Sequence, residues 1–203
     1  DTIGKKTAEL EYYTLYVDDR FGSIEAFLMR MEYIDPQKNI TPYGMMVTCI
    51  NECNPFILAE IFTSGILQQM DIRDIIIYCS ILIDPIVSSN KIERTPSMID
   101  SMTVSELVKD GVHFIAGRIE AYRAAEKDIC SGIESEDAYW DISLDYIELT
   151  SLWCDMDLSN EDHSRILQKL NDMDEYEGSF IKNMLKLNTI IKNLMNITDL
   201  VSN

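Results

Sequence analysis

The residues best suited to bind a ligand are six hydrogen-bonding side chains near the end of the chain. They follow one another at intervals of three or four residues: Ser179, Lys182, Lys186, Thr189, Asn193 and Asn196. Because an α-helix turns by about 100° per residue, this spacing places them in one narrow sector of a helix, here called the donor stripe. Every member can donate a hydrogen bond, and none is negative at neutral pH. Such a stripe suits a nucleic-acid backbone, where ammonium groups pair with phosphates and hydroxyls or amides donate to phosphate and sugar oxygens.

The donor stripe contrasts with the acidity of the whole chain. The 203 residues carry a formal net charge of -18, yet no Asp or Glu occurs between Gly178 and Thr198. A pI near 4.3 argues against indiscriminate binding to nucleic acid or to an anionic membrane, but it allows a local basic surface. The alternative interpretation is a solvated helix face whose lysines pair with acids of neighbouring helices.

The elements that must position this stripe are predicted to be helices. With 46% hydrophobic residues, 8 Gly and 5 Pro, the composition favours a folded, helix-rich chain. We expect an all-α fold, a multi-helix bundle of about eight helices with short connections. Residues 1–19 are predicted to form an N-terminal helix or a connection to a preceding domain, and residues 20–203 the bundle. The final helix is expected to run from Glu177 to about Thr198, buried on most sides except along the donor stripe.

Local signals predict where several other helices begin and end. Periodic apolar residues favour separate helices over residues 5–17 and 21–33, and another over residues 141–156. Thr103 and Glu106 fit a capping box ahead of a helix that runs to about Ile129. Asn54 and Asp71 are predicted N-caps.

Patterns for catalysis or metal binding are missing from the sequence. It contains neither G-x-x-x-x-G-K-[ST] nor Asp-Glu-x-His, so this chain cannot hydrolyse ATP by itself. His113 and His163 lack partners at metal-ligand or catalytic spacing. The acidic residues from Glu134 to Asp145 lack the glycine and spacing of an EF-hand, which favours a solvated helix face. Five cysteines without a CxxC pair are typical of reduced thiols in an intracellular protein. We therefore expect no catalytic residue, no metal site and no cofactor in this chain.

Short runs at both ends of the chain carry a family resemblance through their order and spacing. They are residues 31–35 (MEYID), 41–47 (TPYGMMV), 50–54 (INECN), 58–60 (LAE), 152–153 (LW) and 177–182 (EGSFIK). Together they resemble the DSHCT domain, the C-terminal helical domain of superkiller-type and other exosome-associated DExH-box RNA helicases. In that family the first run reads hydrophobic-Gly-Tyr-Ile-Asp, and the last reads Glu-Gly-Ser-hydrophobic-Ile-Arg. The signature positions of the resemblance in this chain are Gly44, Glu60, Gly65, Trp153, Glu177 and Gly178.

The resemblance implies a role in unwinding RNA. The Glu-Gly-Ser helix would be the ratchet helix, which contacts the unwound single strand, and Lys182 would stand at the signature Arg without its two-pronged grip on phosphate. The implied RNA-binding residues are Ser179, Lys182, Lys186, Thr189 and Asn193. The implied partners are single-stranded RNA, helicase motor domains in the same polypeptide or complex, and components of the RNA exosome. ATP and Mg²⁺ would belong to the motor domains, and the protein would be intracellular, away from membranes.

Two other functions are compatible with the same residues. An acidic helical bundle can dock onto a basic protein partner, as the charge of -18 favours. A ratchet domain of a related DNA helicase is the other alternative, since contacts to phosphate do not identify the sugar. The chain stops at Asn203, short of a closing Arg-Asp-Ile-Val helix of the family, which suggests a fragment or a divergent member.

Overall fold

The chain folds into α-helices, as a computed structural model of residues 2–86, 95–130, 135, 137–156 and 160–202 describes it. The helices of these residues are α1 (Thr2–Arg30), α2 (Pro42–Thr48), α3 (Pro55–Thr63), α4 (Ile72–Cys79), α5 (Glu106–Ile129), α6 (Ile147–Cys154), α7 (Asn160–Asp172) and α8 (Glu177–Ser202). Short 3₁₀ turns and one isolated antiparallel bridge, between Ile34 and Ile40, lie among them. The predicted all-α bundle is therefore confirmed.

The chain divides into two compact units. One unit comprises Asp1–Met45 and Glu120–Tyr139, and the other comprises Met46–Ile119 and Trp140–Asn203. The first is here called the N-terminal unit and the second the main unit. The donor stripe and the whole of α8 belong to the main unit.

The N-terminal unit begins with one long helix where the sequence predicted two. Residues 18–20 were expected to separate helices, but α1 continues through them without interruption. All three are exposed charged residues, Asp-Asp-Arg, and an exposed helix surface accommodates such side chains without a break. The prediction is wrong because polar residues interrupt an apolar pattern without interrupting the backbone hydrogen bonds.

The end of α1 is a Schellman motif with a glutamate at its left-handed position. Tyr33 N donates to Leu28 O at 2.9 Å and Glu32 N donates to Met29 O at 3.1 Å, the bond pair that defines this motif. Glu32 has φ 63°, a conformation that glycine adopts far more readily than other residues. A glycine, which the DSHCT resemblance has at this position, would adopt the same conformation without strain.

The chain after α1 turns back closely upon itself. The Asp35 carboxylate accepts from the backbone N–H groups of Gln37 and Asn39, which closes a tight turn. Thr41 then caps α2, because its Oγ1 accepts from Gly44 N at 3.0 Å. A β-carbon at Gly44 would lie only 2.1 Å from Tyr33 O, so a glycine is required for this backbone approach.

Aromatic rings form the core of the N-terminal unit. Tyr33 stacks on Tyr43 with ring centroids 4.7 Å apart, and its hydroxyl is hydrogen-bonded to that of Tyr122. Phe27 contacts the same Tyr122 ring at a centroid distance of 6.4 Å. Burial raises the pKa of Tyr33, so the cluster stays uncharged at neutral pH.

The core of the main unit is built around α4. This helix packs against α6 and α8, and α6 packs against α7. Two predicted caps are confirmed: Asn54 Oδ1 accepts from the N–H groups of Phe56 and Ile57, and Asp71 Oδ1 accepts from Asp74 N. Specific caps thus set where α3 and α4 begin.

Two helices of the main unit begin later than the sequence predicted. Ser105, and not Thr103, caps α5, since its Oγ accepts from Val108 N at 3.3 Å. The helix expected from residue 141 begins only at Ile147. Residues ahead of it bond to another segment instead: Ser143 N donates to Ile81 O at 3.0 Å, and the Asp145 carboxylate accepts from Ile86 N at 2.9 Å. These long-range bonds compete with local helix formation, and a sequence pattern does not reveal them.

Candidate nucleic-acid interface

The helix that carries the donor stripe starts from a well-defined turn. At the end of α7, Glu175 N donates to Leu170 O at 2.9 Å and Asp174 N to Asn171 O at 3.1 Å. This is a second Schellman motif, with Asp174 at φ 55°. Glu177, the first residue of α8, places a negative charge at the positive end of the helix dipole.

Tyr146 holds the first turns of α8 in place. Its hydroxyl donates to Glu175 Oε1 at 2.8 Å and accepts from Asn183 Nδ2 at 2.6 Å. Its ring stacks on Phe180 with centroids 6.5 Å apart. Burial is the largest cause that raises the pKa of Tyr146, and the bond to Glu175 raises it further. The neutral, fully buried phenol of Tyr146 is therefore hydrogen-bonded to Glu175, before the Glu-Gly-Ser signature, and to Asn183, after it.

Only one face of α8 is buried, whereas the sequence predicted burial on most sides of this helix. The side chains that are buried recur every three or four residues: Phe180, Asn183, Met184, Leu187, Ile190, Asn193, Leu194 and Ile197. Ile181, Leu185 and Met195 are about 60% exposed, at 57%, 63% and 63%. The prediction of burial on most sides is wrong because it rests on the number of apolar residues in α8. Burial depends instead on which side chains face α4.

The donor stripe lies along the edge of this buried face. Some of its side chains are exposed to solvent and others are covered by the protein. Ser179, Lys182 and Asn196 are exposed, and Lys182 has no ion-pair partner among the described residues. Lys186 is mostly covered, and its Nζ lies 2.8 Å from Asp84 Oδ1. Thr189 is partly exposed and donates to Leu185 O at 3.2 Å.

Asn193 is the member of the stripe that the fold withdraws from the surface. Its side chain is only 7% exposed, and Nδ2 has no hydrogen-bond partner among the described residues. Lys192, its neighbour in sequence, is exposed. The exposed lysines of α8 are therefore Lys182 and Lys192, ten residues apart, whereas Lys186, between them in sequence, is held by an acid.

Three of the signature residues have clear structural roles. Gly44 permits the close backbone approach to Tyr33 O, and Gly65 ends α3 with φ 76°. Glu60 is 7% exposed and accepts from Arg118 Nε at 2.9 Å and Nη2 at 2.6 Å, a two-pronged ion pair.

The other signature residues lie at the surface. Trp153 is 43% exposed within α6, whereas Trp140 is 2% exposed and packs against Phe56 at a centroid distance of 5.8 Å. Gly178 is exposed, and a β-carbon added to it would meet no atom of the described residues within 4 Å. Packing within this part of the chain therefore gives no reason for a glycine at position 178.

Two of the groups that the sequence considered for metal or nucleophile chemistry have other partners. His113 Nε2 lies 2.8 Å from Asp100 Oδ1 at the surface. Asp145 is buried, and its carboxylate accepts a hydrogen bond from Ile86 N. Glu134 and Glu136 lie outside the described residues, within which no group of His, Cys, Asp and Glu is arranged to hold a metal ion. All five cysteines are unbridged, and burial raises the pKa of Cys79 to about 12.

A family model now identifies the chain. The model of the DSHCT (NUC185) domain matches residues 37–203, which is most of the sequence. The chain therefore belongs to the DSHCT family, helicase-associated C-terminal domains of superkiller-type DExH helicases. No curated protein matches the chain. Among the described residues, no helix is long and apolar enough to cross a membrane.

Proposed function

We propose that this chain guides single-stranded RNA past the motor domains of an ATP-dependent RNA helicase during RNA processing or decay. The observation that carries the proposal is the surface of α8. Lys182 and Lys192 are exposed on a helix that has no acid between Gly178 and Thr198, in a chain with a net charge of -18. A chain this acidic would repel RNA elsewhere, so a strand would be attracted to this helix.

The chemistry of the surface favours contact with the RNA backbone. Ammonium groups attract phosphates without reading the base, which suits a protein that must pass any sequence along. Exposed Ile181 and Leu185 lie beside Lys182 and offer apolar contact to unstacked bases. ATP and Mg²⁺ would act in the motor domains. The proposed partners are these motor domains, single-stranded RNA and components of the RNA exosome. The proposed setting is intracellular.

The proposal is tested by reversing charge on α8. In the helicase assembly that contains this chain, Lys182→Glu combined with Lys186→Glu should abolish the RNA-stimulated part of the ATPase rate, since two phosphate contacts become repulsive. Circular dichroism should show an unchanged helix content. Lys5→Glu combined with Lys6→Glu, two exposed lysines of α1, makes the same change in charge and should leave stimulation intact. Full stimulation in the α8 double variant would refute the assignment.

An acidic docking module is the second candidate, favoured by the net charge of -18. A labelled single-stranded RNA titrated into the chain at low salt separates the two functions. Binding that weakens steeply with salt supports RNA guidance. If RNA does not bind while a basic protein partner does, the docking module is the better description. Repeating the titration with single-stranded DNA tests the DNA-helicase alternative.

A further inference from the structure

We propose that the carboxylate of Asp84 occupies the place of an RNA phosphate beside Lys186, so that a bound strand displaces it. This inference rests on the proposed function and identifies a phosphate subsite and its internal competitor. Asp84 would thereby limit how tightly α8 holds RNA.

The first support is the geometry of the pair. Lys186 Nζ and Asp84 Oδ1 are 2.8 Å apart, the distance of a direct charge-assisted hydrogen bond. The Lys186 side chain is 20% exposed and that of Asp84 is 64% exposed. The lysine side chain is thus largely covered, while its carboxylate partner is mostly open to solvent and to an incoming phosphate.

The second support is that the pair belongs to no larger ion-pair network among the described residues. Among the described residues, Asp84 makes no further hydrogen bond or ion pair, and Lys186 has no second acidic partner. Removing the acid from such a half-covered pair would leave the lysine charge poorly solvated, whereas replacing the carboxylate by another anion keeps the lysine paired. Exchanging a singly charged carboxylate for a singly charged phosphodiester therefore costs little.

The third support is the position of Lys186 in the stripe. Lys182 lies one helical turn before it, about 6 Å along the axis at a rise of about 1.5 Å per residue. Lys182 is exposed and has no ion-pair partner among the described residues. A strand that contacts Lys182 would therefore reach Lys186 next, where Asp84 already sits.

The affinity of the chain for RNA should rise when Asp84 loses its charge. Asp84→Asn frees Lys186 and removes a repulsive carboxylate, so the dissociation constant for a single-stranded oligouridylate should fall about three- to fivefold. Lys186→Gln should reduce the slope of log K against log salt by about 0.7, the value for one phosphate contact with a single strand.

The measurement is an NMR titration of the whole 203-residue chain with oligouridylate, at concentrations that detect millimolar affinity. The matched control is Glu106→Gln, which removes an exposed acid from another lysine pair of 2.8 Å in the main unit, Lys109–Glu106. We expect Asp84→Asn to bind more tightly than Glu106→Gln, and the gain to vanish when Lys186→Gln is added.

Three results would overturn the inference, and they are distinguishable. If Asp84→Asn binds no more tightly than Glu106→Gln while Lys182→Glu still weakens binding, Asp84 is no competitor and RNA guidance stands. If Asp84→Asn retains its gain in the Lys186→Gln background, Asp84 repels RNA in general and does not occupy a subsite. If millimolar RNA shifts no signal of α8 in any variant, RNA guidance fails and the inference fails with it.

Discussion

Two of the three signature glycines, Gly44 and Gly178, should respond in opposite ways to alanine. At Gly44 a methyl group would meet Tyr33 O at 2.1 Å and Ile40 Cγ2 at 3.0 Å. Since ordinary contacts begin near 3.4 Å, the two backbone segments would have to separate by more than about 1 Å. Such a shift would break the hydrogen bond from Thr41 N to Tyr33 O, now 3.1 Å long, and the capping bond that Gly44 N donates to Thr41 Oγ1.

The cost of Gly44→Ala follows from these contacts. Two lost hydrogen bonds cost about 1 kcal/mol each, and overpacking adds about 1–3 kcal/mol. Alanine in a helix returns up to about 1 kcal/mol. The free energy of unfolding should therefore fall by about 3 kcal/mol, which lowers Tm by roughly 6–12 °C in a chain of this size.

Gly178→Ala should stabilise the fold and still impair function. The site is open, so alanine gains up to about 1 kcal/mol from helix propensity without a clash. If a strand passes close to the backbone of the first turn, the added methyl should also lower RNA-stimulated ATPase activity. Gly117→Ala is the matched control, because Gly117 is equally open on α5 and should gain stability without loss of activity.

Chemical denaturation of the three variants measures the stability changes, and the ATPase rate of the helicase assembly measures function. A change of less than about 0.5 kcal/mol for Gly44→Ala would refute the steric argument, since surface substitutions without a clash fall in that range. Unchanged RNA stimulation in Gly178→Ala would refute the close approach of a strand at the signature.

Two further substitutions test the contacts around the site and the helix end. Tyr146→Phe should destabilise the chain by about 1–3 kcal/mol in a denaturant titration, because buried Asn183 Nδ2 loses its acceptor; a neutral result would mean that Asn183 is satisfied elsewhere. Glu32→Gly should raise the free energy of unfolding by about 0.5–1 kcal/mol, because glycine relieves the left-handed conformation at φ 63°; Glu32→Ala keeps the β-carbon and should show no such gain.

The sequence was sufficient to predict the fold class and several local boundaries. Few Gly and Pro, apolar residues at helical spacing and side chains such as Asn54 and Asp71 all act within one or two turns. Their caps form as expected because the bonds involved join neighbouring residues. The runs from residue 31 to residue 182 also carried enough order and spacing to indicate the family that the comparison confirmed.

Boundaries that depend on distant partners could not be read from the sequence. The stretch before Ile147 has an acceptable helical pattern, but Asp145 accepts from Ile86 N, 59 residues away. The start of α5 is instead a local ambiguity: Ser105 and Thr103 are both suitable caps by composition, and only the observed hydrogen bond from Val108 N to Ser105 Oγ distinguishes them.

For the candidate site, the order of residues specifies the chemistry that α8 carries: three lysines, no acid from Gly178 to Thr198, and donors at helical spacing. Which of these donors are available depends on contacts with the rest of the main unit. Packing against α4 sets the buried direction, and it leaves Lys182 open, buries Asn193 and brings Asp84 to Lys186 from 102 residues away. The physical reason is that helical spacing is a property of one segment, whereas burial and ion pairing require a second segment whose position no local pattern encodes.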